Sequence, residues 1–167
     1  VRSFVTGMKI IAVEPTANPF LTLAKDQSID FTALVPYQIH DIVRSDKASV
    51  LDTIKIIIVG GAAINSETID MLQHFTCQFY GTYGMTETIS HVALMPLNGN
   101  LRSPYYTVLP GITITQDERG CLVINGDHLK GNKIITNDLV ESINTTTFKW
   151  LGRWDNVINS GGLKVIP

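Results

Sequence analysis

Along the chain, apolar runs of strand length alternate with segments whose apolar residues recur at helical spacing. "IKIIIVGG", Ile54 to Gly61, is an apolar, β-branched run closed by a glycine pair, the pattern of a strand buried on both faces. "NSETIDMLQHF" follows, where Asn65 or Ser66 can cap a helix and Ile69, Leu72 and Phe75 share one face. "TCQFYG" then predicts another strand. Strand, glycine turn, helix and strand make a βαβ unit in a mostly parallel sheet. Upstream, "FTALVPYQIHDIV" has Ala33, Leu34, Ile39, Ile42 and Val43 apolar, with Pro36 opening a helix because its fixed φ suits a first turn.

From Pro104 the pattern changes. "GITIT", "CLVIN", "KIITND" and "FKWLGR" are short β-like pieces separated by turn signals such as "DERG" and "NG". The expected fold class is therefore α/β: a mostly parallel sheet with flanking helices over residues 1–103, then a small antiparallel β subdomain over 104–151. There is no internal repeat and no low-complexity tract.

Composition removes several function classes. A chain of 167 residues, 44% hydrophobic, is long enough to bury a core. Its formal charge is -2, with 13 lysines and arginines scattered along the sequence, so there is no basic stripe for nucleic acid. Cys77 and Cys121 form no C-x-x-C pair and read as buried thiols in a reducing compartment. The longest apolar run, Ile56 to Ile64, is much shorter than the roughly 20 residues of a membrane span, and no signal-peptide pattern opens the chain; the expectation is a cytoplasmic protein. The chain opens at Val1 without methionine and stops at "GGLKVIP", so it reads as a piece of something longer.

Chemistry concentrates where strands end. In an open parallel sheet ligands gather at the carboxyl ends of strands, which would put "GGAA" (Gly60 to Ala63) beside "TYGMTE" (Thr82 to Glu87). Tyr83 could cover one face of a planar base and the Gly61 to Ala63 backbone the other. Thr86 could donate to a phosphate oxygen, and the Glu87 carboxylate could hold a hard cation such as Mg²⁺. Blander alternatives stand beside each: a tight strand-to-helix turn at Gly60-Gly61, a strand-end aromatic at Tyr83, an N-cap at Thr86. There is no P-loop and no G-x-S-x-G elbow. His40, His74, His91 and His128 show no ligand spacing, although Ser90 and His91 directly follow the motif and could line a substrate pocket.

Together these segments resemble the adenylate-forming acyl-CoA synthetases. "YGTYGMTET" looks like their Y-G-x-T-E motif, "GGAAI" their adenine-binding loop, "TNDLV" their T-G-D ribose motif and "GRWDNVINSGGLKV" their hinge motif, in the family's order from about Phe31 onward. "GMTETISH" and "INSGGLKV" are similar to o-succinylbenzoate-CoA ligases of menaquinone biosynthesis. The resemblance implies that Gly60, Gly61, Ala62 and Ala63 sandwich adenine with Tyr83, and that Thr86 contacts the α-phosphate. Glu87 would hold Mg²⁺, Asp138 and Arg153 the ribose hydroxyls, and Gly81, Thr82, Ser90 and His91 would line the acyl pocket. Asp155 would be the hinge in a 152–167 tail. It implies ATP, Mg²⁺ and coenzyme A, a small carboxylic acid as substrate, and leaves a homo-oligomer open.

Three positions depart from the family pattern. Gly81 stands where Asn or Gln often meets the adenine amino group, Asn137 replaces the glycine of T-G-D, and Asn159 replaces a lysine common after the hinge. The family's upstream phosphate loop and its adenylation lysine have no match in this sequence. The expectation is the C-terminal part of a large domain, inactive alone. Another adenylate-forming ligase, or a non-catalytic nucleotide-binding module, is the alternative.

Overall fold

The structure, a computed structural model, describes residues 2–23, 27–156, 158–160 and 163–165. Of the hinge motif, Val157, Gly161 and Gly162 lie outside the described residues, as do residues 166 and 167 of the tail. Among the described residues, short helices α1 (Arg2–Val5), α2 (Pro36–Val43) and α3 (Ser66–Met71) accompany eleven strands. The strands are β1 (Ile29–Leu34), β2 (Ile54–Val59), β3 (Gln78–Gly84), β4 (His91–Pro96), β5 (Tyr106–Val108), β6 (Ile112–Gln116), β7 (Cys121–Gly126), β8 (Ile134–Ser142), β9 (Thr147–Arg153), β10 (Ile158–Ser160) and β11 (Leu163–Val165). The first nine form one sheet in the order β1-β2-β3-β4-β5-β9-β8-β7-β6, and β10 and β11 pair separately.

The α/β class stands as expected. β1, β2 and β3 are mutually parallel, with Ile58 opposite Tyr80 and Val59 opposite Gly81. From β4 onward every pairing is antiparallel, so the β-rich second half continues the same sheet. Pro36 is the first residue of α2, and the Asn65 side chain caps α3 by accepting from the Thr68 N–H at 2.7 Å.

Two expectations are corrected. β2 is buried on one face, not both: Ile57 and Val59 lie under α2 and α3, whereas Ile56 is 36% exposed and Ile58 half-buried. The helices pack on a single side of β1 to β3. Asn125-Gly126 is not a turn either. Asn125 pairs with Thr113 and Gly126 with Ile112, because the β6–β7 reversal is made earlier, by Asp117 to Gly120.

Two apolar clusters flank the sheet's midline. One gathers Ile39, Ile42, Leu51, Ile57, Leu72 and Phe79 beneath the helices; the other gathers Ala93, Ile114, Leu122, Ile124, Val140 and Phe148 in the antiparallel half. Asn98 fixes how β3 begins. Its side chain accepts from the Phe79 N–H at 3.0 Å and donates to the carbonyls of Cys77 and Phe75 at 2.8 and 3.3 Å.

Candidate active site

The parallel register brings the ends of β2 and β3 side by side, and two hollows open there. In the first, of about 610 Å³, Ala62 and Ala63 face Gly81, Tyr106, Lys149 and Trp150. In the second, of about 520 Å³, Gly60 and Gly61 face Thr86, Ser90 and His91. Thr82 borders both. The Gly60 to Ala63 loop is thus a partition, and its bend uses a φ of +90° at Gly61, where glycine alone is unstrained. A third hollow, about 900 Å³, lies among residues 8–38 and touches none of the motif residues.

The expected acyl-pocket set is divided. Thr82, Ser90 and His91 come together, with Ser90 Oγ 3.4 Å from His91 Nδ1, whereas Gly81 belongs to the first hollow. The first wall offers small residues and aromatic edges, suited to a flat apolar ring. The second sets the Thr82, Thr86 and Ser90 hydroxyls and His91 against an apolar wall of Leu34, Val35, Ile58, Met85 and Ile89.

Beyond β3 the chain makes a one-turn 3-10 segment, Thr86–Thr88. Thr88, 1% exposed, is its staple: the hydroxyl donates within reach of the Met85 and Ser90 carbonyls at 2.9 and 2.7 Å and accepts from the Met85 N–H at 2.9 Å. This holds Thr86 and Glu87 out to solvent. The next residue, Ile89, has a φ of +66°, a strained conformation for a β-branched side chain. Gly84 ends β3 so close to β4 that a Cβ there would lie 2.5 Å from His91 Cα.

Tyr83 borders neither hollow. Its ring packs edge-on against Tyr106 and Phe148, at centroid distances of 5.8 and 5.2 Å, and its hydroxyl donates to Asp138 Oδ2 at 2.7 Å. Burial, then the hydrogen bond to Asp138, pushes the Tyr83 hydroxyl above the usual phenol range. Asp138 itself is 5% exposed. Its Oδ1 accepts from Trp150 Nε1–H at 3.2 Å and lies 3.6 Å from Arg153 Nη1.

Asp155 is tied back to this cluster. Asn137, the departure from the family's glycine, donates to Asp155 Oδ2 at 3.1 Å, and Arg153 Nη2 lies 3.8 Å from the same oxygen. Arg119 holds Asn137 in turn, donating to its Oδ1 at 2.8 Å while also bonding Asp117 Oδ2 at 2.8 Å.

Among the described residues no three His, Cys, Asp or Glu side chains form a metal cage. One exposed carboxylate, Glu87, fits Mg²⁺ that is carried mainly by substrate phosphates, which commonly binds through one or two carboxylates. Also among the described residues, no helix is long and apolar enough to cross a membrane. Trp150, Tyr106 and Thr88 belong to the site but were not singled out by sequence.

The AMP-binding enzyme family matches residues 2–131, and the chain belongs to that family. An acyl-CoA synthetase (AMP-forming)/AMP-acid ligase II-like protein from Dyadobacter fermentans is 45% identical, with a TM-score of 0.79 over 92% of this chain and 44% of that one. The O-succinylbenzoate Coenzyme A synthetase of Bacillus subtilis, in complex with ATP and magnesium ion, shares the fold at 17% identity and a TM-score of 0.66, over 83% of this chain and 34% of that one. A 2-succinylbenzoate–CoA ligase of Staphylococcus aureus is 28% identical over 90 residues, 53% of this chain and 18% of that protein. The chain therefore spans less than half the length of these relatives.

Proposed function

We propose that the protein carrying this chain is an ATP-dependent acid–CoA ligase working through an acyl-adenylate, with o-succinylbenzoate as the acid. The observation that carries this is that the Gly60 to Ala63 partition and the Thr86 turn meet at the ends of β2 and β3, with the buried Asp138 bonded to Tyr83 of β3 and to Trp150, which borders the first hollow. The o-succinylbenzoate ligases of Staphylococcus aureus and Bacillus subtilis among the similar proteins support the choice of acid.

In this reading the first hollow takes adenine, while Asp138 and Arg153 hold the ribose hydroxyls. Thr86 donates to the α-phosphate, and Glu87 would hold Mg²⁺, which would supply charge neutralisation. The substrate carboxylate, in the second hollow beside Thr82, Ser90 and His91, attacks the α-phosphorus. A P–O bond forms and the bond to pyrophosphate breaks. CoA thiolate then attacks the acyl carbon, forming the thioester and releasing AMP. Asp155 is the hinge between the two half-reactions. The residues of this chain alone are expected to be inactive, since they span so little of the relatives.

Glu87→Gln in the full-length protein tests the reading. It keeps size and loses charge, so adenylation should slow by about 10²-fold or more. Substrate-dependent pyrophosphate exchange is the assay. A rate within about twofold of wild type in a folded variant would instead favour a non-catalytic nucleotide-binding module. Faster exchange with another acid than with o-succinylbenzoate would point to a different ligase of the same class.

A further inference from the structure

β9 carries a bulge whose consequence falls on the Asp138 carboxylate. Asp138 pairs with Arg153, Leu139 with Gly152, and Val140 with Trp150, so Leu151 has no counterpart on β8. In a regular strand, residues three apart point to opposite faces of the sheet. The extra residue cancels that alternation and re-aims the side chains. Trp150 and Arg153 accordingly both reach Asp138 Oδ1.

The three neighbours of this carboxylate are not alike. Tyr83 and Trp150 bond it at 2.7 and 3.2 Å, one to each oxygen. Arg153 is looser, at 3.6 Å, and its side chain is 50% exposed. A carboxylate offers about four acceptor directions, so one remains on each oxygen after the two close bonds. Trp150 is itself 37% exposed and borders the first hollow, so its ring is not spent in filling the core.

We propose that Trp150 is a positioning residue of the nucleotide site: with Tyr83 it clamps Asp138 so that the carboxylate presents its free acceptors, on the Arg153 side, to ribose hydroxyls. This rests on the ribose role given to Asp138 above. Without the indole N–H the carboxylate keeps Tyr83 but can turn about its last side-chain bond, and hydroxyl recognition weakens while base and phosphate contacts stay.

The test is calorimetric titration of the full-length protein with ATP and with 2′,3′-dideoxy-ATP, which lacks the hydroxyls. Trp150→Phe keeps an aromatic wall but no donor. Its ATP affinity should fall by about tenfold or more, as loss of one hydrogen bond to a charged group implies, with dideoxy-ATP binding unchanged within about twofold. Trp150→His restores a ring N–H two bonds from the ring attachment, as in tryptophan, and should recover most of the ATP preference. Asp138→Ala should abolish that preference. If Trp150→Phe weakens both nucleotides equally, tightens ATP binding, or changes neither, while Asp138→Ala still abolishes the preference, the clamp is refuted and the ribose reading survives. If Asp138→Ala leaves the preference intact, the ribose reading fails, and the clamp with it.

Discussion

Gly81 and Gly84 lie on one strand, and the same substitution should have opposite consequences at the two. At Gly84 an added Cβ would sit 2.5 Å from His91 Cα, 2.6 Å from the Ser90 carbonyl oxygen and 2.9 Å from His91 N. All three are backbone atoms, so no rotamer change relieves the clash. Restoring a normal contact of about 3.4 Å requires β3 and β4 to part by nearly 1 Å at their irregular Tyr83/Gly84 step, and overpacking of this kind costs about 1–3 kcal/mol. Loss of the adjoining ladder contact puts the expected cost at the upper end. The parting also displaces the Thr86–Thr88 turn. At Gly81 the added Cβ meets Leu97 Cδ2 and Met95 Cε at 3.4 Å and the Tyr106 hydroxyl at 3.7 Å, which are ordinary contacts. Gly81→Ala should therefore be neutral to about 1 kcal/mol stabilising through the unfolded chain, while its methyl intrudes on the first hollow. Thermal unfolding and pyrophosphate exchange, measured on both variants of the full-length protein, give the comparison. Gly84→Ala should lower the midpoint by about 4 °C or more and abolish exchange. Gly81→Ala should hold the midpoint and raise the KM for ATP. Equal midpoints for the two variants would refute the close-approach argument.

Asn98→Ala leaves the N–H of Phe79, 1% exposed, without its acceptor and frees the Cys77 carbonyl, so it should destabilise by about 2–3 kcal/mol in urea titration. Asn98→Asp, which keeps the acceptor but turns a carboxylate oxygen toward the Cys77, Phe75 and Leu72 carbonyls, should cost at least as much. Burial pushes the Cys77 thiol up to about 12 from 9.0, so it should resist iodoacetamide at pH 8 in the native protein and react once unfolded. Because the folded value is the higher one, this contribution to stability is complete below about pH 9 and is lost as pH rises toward 12, so the urea midpoint should fall over that range. Asp138→Ala should raise the KM for ATP more than it lowers kcat, since ribose contacts exist before and during the reaction; steady-state kinetics decides.

Sequence pattern was informative where local chemistry and tertiary packing agree. Pro36 and Asn65 start α2 and α3 because a fixed φ and a side-chain acceptor act within one turn. "IKIIIVGG" reads as a strand in any context, yet whether Ile56 is covered depends on what packs there, which periodicity does not encode. The candidate residues Gly60 to Ala63 and Thr86 and Glu87 fall in two short contiguous segments, so sequence could single them out. Trp150 was not: its role depends on a bulge at Leu151 that reverses its facing, and "FKWLGR" alternates no differently with or without it. Thr88 stood in plain view within "YGTYGMTET", but only its burial distinguishes a staple from the exposed threonine two positions before it.

β5 joins the two halves of the sheet by very little. It is three residues long and pairs at only two positions with each neighbour, Ala93 and Leu94 on one side and Thr147 and Phe148 on the other. Cooperative opening units in proteins follow contiguous packed regions, and each apolar cluster here lies mainly to one side of this strip. Amide exchange should accordingly resolve two protected blocks, β1 to β3 and β6 to β9, with β5 opening at lower free energy than either. Tyr106 sits on that strip, stacked on Phe148 at 5.3 Å and facing the first hollow. A ligand pressed against Tyr106 would slow exchange in β5 well beyond its own footprint, making this strand the place where occupancy is felt by both halves at once.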